Sequence, residues 1–254
     1  MYGNKVITIT FGDVAENHAG MQKIGTLANE GYDLNDLSII YNNFTSANYN
    51  CQLYKLNDLY LGHTFDINDM AYLLVIKNGV SVFTNTMNLF NELIHLNWDT
   101  KAFMRGKVVN KHARYNLCFA NIAQDPNYEL GKGRIISYNN TPLLYSIYSQ
   151  LPYYFGPKAN NLYAEGNYYY DKHNCGIGMH GDGERRKVIA LRLGSNMPLV
   201  YQWYYHSQPV GQKFNIMLEH GDMYIMSQKA VGTDWRSSSK FTLRHGAGCN
   251  KYIN

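Results

Sequence analysis

Apolar positions in the first hundred residues predict two strands. Residues 6–11 are short and β-branched, which is typical of a strand. The apolar run at 72–77 is short enough for a buried strand. Asn78-Gly79 follows it directly and precedes the apolar residues 80–83, a pattern that predicts a hairpin turn.

Helical spacing of apolar residues predicts two helices in the same region. One is expected at residues 15–29, with Gly31 placed to end it, and the other at residues 87–96. Beyond residues 98–101 the pattern changes to short strands joined by turns, with apolar runs at 188–191, 199–205, 214–218 and 223–226. We therefore predict a small α/β domain of unknown role at residues 1–98 and a strand-rich domain at residues 99–254.

Composition places the chain among globular proteins. Of its 254 residues, 45% are hydrophobic and 17% are charged, which is enough to build a core. No stretch of about 18 apolar residues exists and the start lacks a signal-peptide layout, so we expect a cytoplasmic protein, or a nuclear one in a eukaryotic host. The four cysteines form no CxxC pair, which favours reduced thiols. A net charge of +4 permits a polyanionic partner.

The triplet His180-Gly181-Asp182 carries the most specific chemistry in the sequence. Side chains two apart on a strand point to the same face, so the imidazole and the carboxylate can bind one ion together. They would supply two of the three protein ligands of a 2-His-1-carboxylate site, which typically holds non-haem Fe(II). Because the triplet precedes a run of short strands, it indicates a β-barrel enzyme.

Residues from about 103 to 248 resemble the AlkB-type Fe(II)/2-oxoglutarate-dependent dioxygenases. The likeness consists of short matches: Gly106-Lys107 followed by residues 111–115, Asn167-Tyr168-Tyr169, residues 180–184, Leu218-Glu219-His220-Gly221-Asp222, and residues 241–244. The resemblance implies an α+β protein with a double-stranded β-helix (jelly-roll) core. It also implies Fe(II) as cofactor, O2 and 2-oxoglutarate as cosubstrates, and no membrane association.

The resemblance also implies roles for individual residues. Those expected to contact 2-oxoglutarate are Asn167, Tyr169, Arg192 and Arg244. Those expected to contact the substrate, with DNA, RNA or nucleotides as its possible source, are Glu184, Lys111 and Arg114. For Glu184 the alternative interpretation is a solvated acid that pairs with Arg185 or Arg186. His220 mimics the metal motif, but the family does not use it as a ligand, so we expect it to be structural.

The third metal ligand departs from the family pattern. Thr233-Asp234-Trp235 is present, but the position of the distal histidine reads Ser237. Three interpretations stay open: His245 completes the triad, Asp234 ligates instead, or the site has two ligands and is inactive. His245 follows Arg244, and adjacent strand residues point to opposite faces. Both side chains can therefore line the site only if a bulge or bend intervenes, which Gly246-Ala247-Gly248 could supply.

Three functional hypotheses follow. The first is a dioxygenase that hydroxylates or demethylates a modified nucleobase or a related group. The second keeps this chemistry and moves it to an amino acid, a peptide or a small metabolite. The third is a catalytically inactive AlkB-like binding module.

Overall fold

The computed structural model describes residues 2–254, which contain sixteen strands and five α-helices. The strands are β1 (Val6–Gly12), β2 (Val14–Glu16), β3 (Lys23–Gly25), β4 (Cys51–Lys55), β5 (Tyr72–Ile76), β6 (Lys101–Met104), β7 (Lys107–Asn110), β8 (Tyr115–Ala120), β9 (Ile135–Ser137), β10 (Tyr163–Tyr169), β11 (Gly176–His180), β12 (Val188–Gly194), β13 (Met197–Tyr205), β14 (Gln208–Leu218), β15 (Met223–Met226) and β16 (Thr242–Gly248). The helices are α1 (Leu34–Ser46), α2 (Thr86–Ile94), α3 (Pro142–Phe155), α4 (Gln228–Val231) and α5 (Asn250–Ile253).

The strands form two main sheets and two small hairpins. The large sheet has eight strands in the order β4-β5-β15-β12-β1-β10-β8-β9, and the small sheet has four in the order β11-β16-β13-β14. Neighbours in both sheets are antiparallel, apart from β8 and β9. The expected α+β class is therefore confirmed, with antiparallel strands as its main component.

The large sheet crosses the boundary that the sequence suggested. Strand β1 pairs with β10 on one side and with β12 on the other, so the amino-terminal segment supplies a central strand. Strands β4 and β5 extend the same sheet through β15. The predicted division at residues 98 and 99 needs correction, because strands from both parts hydrogen-bond in one sheet and share one core. No linker composition marked the boundary, and the long-range pairing of β1 leaves no trace in local sequence.

Two apolar clusters define three layers. On one face of the large sheet, residues such as Ile9 and Leu191 pack against Leu37 of α1, Leu89 of α2 and Ile147 of α3. On its other face a second cluster joins the large sheet to the small sheet, with members Val75, Ala190 and Tyr224 from the large sheet and Leu199, Trp203 and Leu243 from the small one. The order of layers is therefore helices, large sheet, small sheet.

The pattern within β1 explains its central place. Ile7, Ile9 and Phe11 alternate toward the helices and are completely buried. Thr8 and Thr10 consequently point toward the small sheet, where they line a cavity. A strand with apolar side chains on one face and small hydroxyls on the other can be buried on both, provided that the hydroxyls meet polar partners or a ligand.

Other local predictions had mixed outcomes. The strand at 72–77 and the helix at 87–96 are confirmed by β5 and α2. The helix at 15–29 is wrong: β2 and β3 occupy this region, where Gly20 and Gly25 adopt left-handed φ values of +87° and +97°. The expected hairpin at Asn78-Gly79 is wrong as well, since Gly79–Val82 forms a short 3₁₀ helix.

The described chain contains no helix that is both long enough and apolar enough to span a membrane.

Candidate metal centre

Two strands and one loop bring three potential metal ligands together. His180 ends β11, His245 lies in β16, and the two residues are directly opposed in the antiparallel register. Asp182 follows β11, and its backbone N–H donates to the Val231 carbonyl at 2.9 Å. Each side chain offers one ligand atom, a histidine nitrogen or a carboxylate oxygen. These three atoms all lie within 4.8 Å of one another.

The contacts within the cluster orient the ligand atoms. Asp182 Oδ1 lies 3.4 Å from His180 Nε2 and 3.8 Å from His245 Nε2. His180 Nδ1 lies 2.8 Å from the Gly178 carbonyl oxygen and donates to it in the tautomer that leaves Nε2 unprotonated. This arrangement presents the Nε2 lone pair of His180 toward Asp182, as a metal-binding histidine requires.

The protonation states suit a cation. Burial, together with the neighbouring His180, lowers the pKa of His245 to about 4, so this imidazole is neutral at neutral pH. Burial alone would raise the pKa of Asp182, but Arg185 and the two imidazoles hold it well below its usual range. The cluster therefore offers a neutral imidazole at His245 and a carboxylate at Asp182, and neither has to lose a proton before a metal binds.

Strand alternation separates His245 from Arg244. Residues 242–247 of β16 pair with β13 in an uninterrupted register, so no bend follows His245. The Arg244 guanidinium instead lies over the ring of Tyr204, 4.0 Å from its centroid, and near Trp235. The expected contact of Arg244 with 2-oxoglutarate is therefore wrong, because its side chain leaves the sheet on the face opposite to His245.

The irregularity that the site needs lies in β11. The register with β16 shifts between Ile177 and His180. Residues three apart on a regular strand face opposite ways, yet both of these side chains line the same cavity, so the bulge turns His180 inward.

Asp234 does not join the cluster. Its Oδ2 accepts from Lys229 Nζ at 2.8 Å, and Lys229 also donates to Asp69 and to the Phe241 carbonyl. The sequence left three interpretations open. The geometry brings His245 together with His180 and Asp182, and it leaves Asp234 in a separate ion pair with Lys229.

Gly181 lies between His180 and Asp182, where it packs closely against the neighbouring backbone. A Cβ added there would lie 2.1 Å from the Gly232 carbonyl oxygen and 2.7 Å from Trp235 Cβ. A side chain at Gly183 would meet nothing closer than Trp235 Nε1 at 3.8 Å. The loop that carries Asp182 therefore packs against the backbone after α4 through a residue without a side chain.

We expect Gly181→Ala to destabilise the protein by about 2–3 kcal/mol, because the backbone must shift to relieve the overlap. The same shift displaces Asp182 and lowers metal affinity at least about tenfold. Gly183→Ala is the matched control and should leave both quantities near wild type. Urea denaturation and metal titration of the two variants provide the measurement; equal behaviour of the pair would contradict the steric argument.

A cavity of about 60 Å³ connects the cluster to the large sheet. Asn167, Thr8 and Arg192 are cross-strand neighbours on β10, β1 and β12, and all three line it. Arg192 is 1% exposed, and its Nε and one terminal nitrogen have no hydrogen-bond partner; the Thr8 hydroxyl lacks one too. Burying a cation without a counter-charge costs free energy, so this end of the cavity favours the binding of an anion.

Two tyrosines complete this end of the cavity. Tyr169 and Tyr224 both line it, and burial raises the pKa of Tyr224 to about 12 despite the opposing effect of Arg192. Their hydroxyls are therefore neutral hydrogen-bond donors at neutral pH. Asn167 is more constrained, since its Oδ1 already accepts from Arg114 Nε at 2.6 Å and from Asn116 Nδ2 at 2.8 Å.

The expected substrate contacts have different outcomes. Lys111 is buried, which lowers the pKa of its amine to about 7, and its Nζ hydrogen-bonds inside the protein to Asn17 Oδ1, Asn116 Oδ1 and the Asn17 carbonyl. The expected contact of Lys111 with substrate is therefore wrong. Arg114 is partly exposed and reaches toward the cavity through Asn167.

Glu184 pairs with Arg185, as its alternative interpretation anticipated, but it does so in a largely buried ionic cluster and not as a solvated acid. The Arg185 guanidinium contacts Glu184 at 2.9 Å and Glu165 at 2.5 Å, and its Nε lies 3.6 Å from Asp182 Oδ2. The His220 ring is remote from this cluster. Its Nδ1 accepts from the Gly194 N–H at 2.9 Å, and the ring packs against Tyr2, which is a structural environment.

Several cavity residues escaped sequence reasoning. The lining of the cavity also includes Thr8, Thr10, Tyr224, Glu165 and Arg185. The polar, period-two positions Thr8 and Thr10 within an otherwise apolar strand were a usable signal. Glu165 stands two residues before Asn167 and so shares its face, which was a second signal.

Comparison with known proteins gives one clear relative. No model of a known protein family matches the sequence. The chain is 49% identical over 249 residues to a protein of Acanthamoeba polyphaga mimivirus named "Uncharacterized protein R156", and the alignment covers 98% of each chain.

Proposed function

We propose that this chain, which belongs to the same family as the mimivirus protein R156, is an Fe(II)- and 2-oxoglutarate-dependent dioxygenase. One observation carries the proposal: a His-Asp-His cluster and a buried, unpartnered arginine line the same cavity. The first is a donor set for a divalent metal, and the second is a partner for an anionic cosubstrate.

The donor set fits iron better than it fits most other metals. Two imidazoles and one carboxylate on one side of an ion form the facial arrangement of non-haem Fe(II) oxygenases, with positions left for cosubstrate and O2. A structural zinc site would favour cysteine, and all four cysteines of the chain are free and absent from the cluster. His180, Asp182 and His245 are the residues that would hold the ion.

The cavity offers what a small dicarboxylate requires. Arg192 has two free N–H positions and a planar guanidinium suited to a carboxylate. The Thr8 hydroxyl and the neighbouring tyrosines supply neutral donors. Because these groups lie on the large sheet and the histidines on the small sheet, a ligand held between them would span from the metal to Arg192.

The sheet arrangement supports a double-stranded β-helix as the core. The large sheet, antiparallel apart from β8 and β9, packs face to face with the small antiparallel sheet, and the cavity lies between them.

The chain's own residues prepare the reaction that iron supplies when bound, the oxidation of a substrate C–H bond by O2 with 2-oxoglutarate as the reductant. His245 remains a neutral imidazole, and Asp182 remains ionised beside Arg185. Val188, Leu199 and Met226 add apolar surface to the cavity wall. The partly exposed faces of His180 and Asp182 leave the open side for a substrate, and a modified nucleobase or a related group is the class we propose.

Anaerobic titration with Fe(II) and 2-oxoglutarate tests the proposal. We expect a weak visible metal-to-ligand charge-transfer band that requires both additions. Absence of the band and of calorimetric 2-oxoglutarate binding would favour an inactive binding module. Succinate release with methylated oligonucleotides, compared with free amino acids, then separates a nucleobase oxygenase from an amino-acid or metabolite hydroxylase.

A further inference from the structure

A second cavity lies beyond the end of the metal site. It is an open cleft of about 820 Å³, compared with about 60 Å³ for the metal cavity. Residues 196–198, the end of β14, residues 248–253 and the turn at 172–174 form its walls. Its volume falls in the upper part of the range for small-molecule sites, so it has room for a nucleotide-sized ligand.

The lining of the cleft contains basic side chains and no carboxylate. Lys172 and Lys251 line it together with the imidazoles of His112 and His173, and no Asp or Glu is among its lining residues. The Lys172 Nζ donates only to the neutral Asn196 Oδ1 at 3.0 Å, and the Lys251 Nζ lies over the Tyr252 ring at 5.6 Å. Neither lysine forms an ion pair within residues 2–254.

Several lysines elsewhere in the protein form short ion pairs. Lys77 pairs with Asp222 at 2.6 Å, Lys158 with Asp36 at 2.7 Å and Lys229 with Asp69 at 2.6 Å. Asp171, the acid nearest in sequence to the cleft, accepts from the His173 N–H and the Asn174 amide and forms no ion pair with Lys172 or Lys251. Within residues 2–254, Lys172 and Lys251 therefore have no carboxylate partner, and their charge can attract anions.

The neutral lining of the cleft indicates what else the ligand carries. Asn174, Asn196, Asn215 and Asn250 contribute amides, each of which can both donate and accept hydrogen bonds. Such groups pair with sugar hydroxyls and with the edges of bases. Met197 and Met217 add apolar surface beside them. A simple inorganic anion would leave most of these groups unused.

A thin apolar wall separates the two cavities. Val6, Tyr169, Cys175, Met197 and Ala247 form a small buried cluster. Tyr169 and Ala247 face the metal cavity, whereas Met197 faces the cleft. The cleft is thus separate from the metal cavity, because it lies where β11 begins and β16 ends, whereas His180 stands at the other end of β11.

We propose that this cleft binds phosphorylated nucleosides, either as a free nucleotide or as part of a single-stranded nucleic acid. Lys172 and Lys251 hold the phosphate, and the asparagine amides contact the sugar and base. The site requires no metal and does not rest on the proposed oxygenase function.

Fluorescence anisotropy with a labelled single strand of about twelve nucleotides, in metal-free protein at several KCl concentrations, tests the proposal. We expect the double variant Lys172→Glu/Lys251→Glu to weaken binding at least about tenfold. The slope of log K against log salt should fall in magnitude by about 1.4, because two phosphate contacts are lost. Competition with AMP distinguishes a nucleotide-sized site, which AMP empties, from one that needs a strand.

The β6–β7 hairpin provides the matched control. Lys101→Glu/Lys107→Glu makes the same charge change on exposed residues outside the cleft and should leave affinity within about twofold of wild type. Lys172→Gln/Lys251→Gln repeats the test if charge reversal impairs folding. Absence of binding by the wild type, or loss of binding in the hairpin variant alone, would overturn the proposal.

Discussion

Replacing His245 with alanine is expected to lower Fe(II) affinity by more than about 100-fold. The variant keeps only His180 and Asp182, and two ligands hold a divalent ion weakly at neutral pH. The metal-free variant should remain folded, because the backbone pairing of β16 with β11 and β13 does not involve the His245 side chain. Anaerobic calorimetric titration, with circular dichroism of the metal-free protein, measures both effects.

Two further variants make this result specific. His95 is exposed at the end of α2, so His95→Ala should bind Fe(II) like the wild type. Asp234→Asn removes the rival ligand from the Lys229 ion pair and should also preserve Fe(II) affinity. If Asp234→Asn abolished binding while His245→Ala retained it, the third ligand would be the carboxylate, and the triad described above would be incorrect.

The metal cluster shows how far sequence reasoning reached. The HxD triplet, followed by strands, was enough to single out His180 and Asp182, because period-two alternation is a local property. His245 stood among three alternatives. Choosing it required knowing that β16 lies beside β11 and that the bulge falls in β11, and both depend on pairing between distant segments.

Arg244 and Arg192 also show that local sequence patterns do not determine which side chains face the cavity. Alternation already implied that Arg244 and His245 could not both face inward on a regular strand. The structure resolves this conflict by turning Arg244 outward onto Tyr204 instead of bending β16. Arg192 takes the inward place on β12, opposite Thr8 of a strand that local patterns assigned to a separate domain.

Local patterns succeeded where tertiary contacts agreed with them. Strand β5 and helix α2 follow their apolar patterns. The hairpin expected at Asn78-Gly79 fails because the Asn78 N–H donates to Asp222 Oδ1, and residue 80 then bonds to the Gly221 carbonyl. Asn78 has the left-handed φ that such a turn requires, but distant partners determine the path that follows it.

We expect Arg192→Met to weaken anion binding and to leave the protein folded. It removes the only guanidinium that lines the metal cavity without a carboxylate partner, so 2-oxoglutarate affinity should fall at least about 100-fold. The same change relieves the cost of a buried, unpaired cation and should stabilise the ligand-free protein by about 1–3 kcal/mol. Binding of Fe(II) alone should be retained, because Arg192 is not among the metal ligands.

Arg244→Met is the matched control, since this arginine stacks on Tyr204 outside the cavity. It should leave 2-oxoglutarate affinity unchanged and should not raise stability. Calorimetric titration of the Fe(II)-loaded variants and urea denaturation of the metal-free ones give the two readouts. Loss of 2-oxoglutarate binding in Arg244→Met but not in Arg192→Met would show that the anion is held from the terminal strand. A loss of stability in Arg192→Met would show instead that the guanidinium serves the fold, because a residue kept for a ligand stabilises the protein only when that ligand is present.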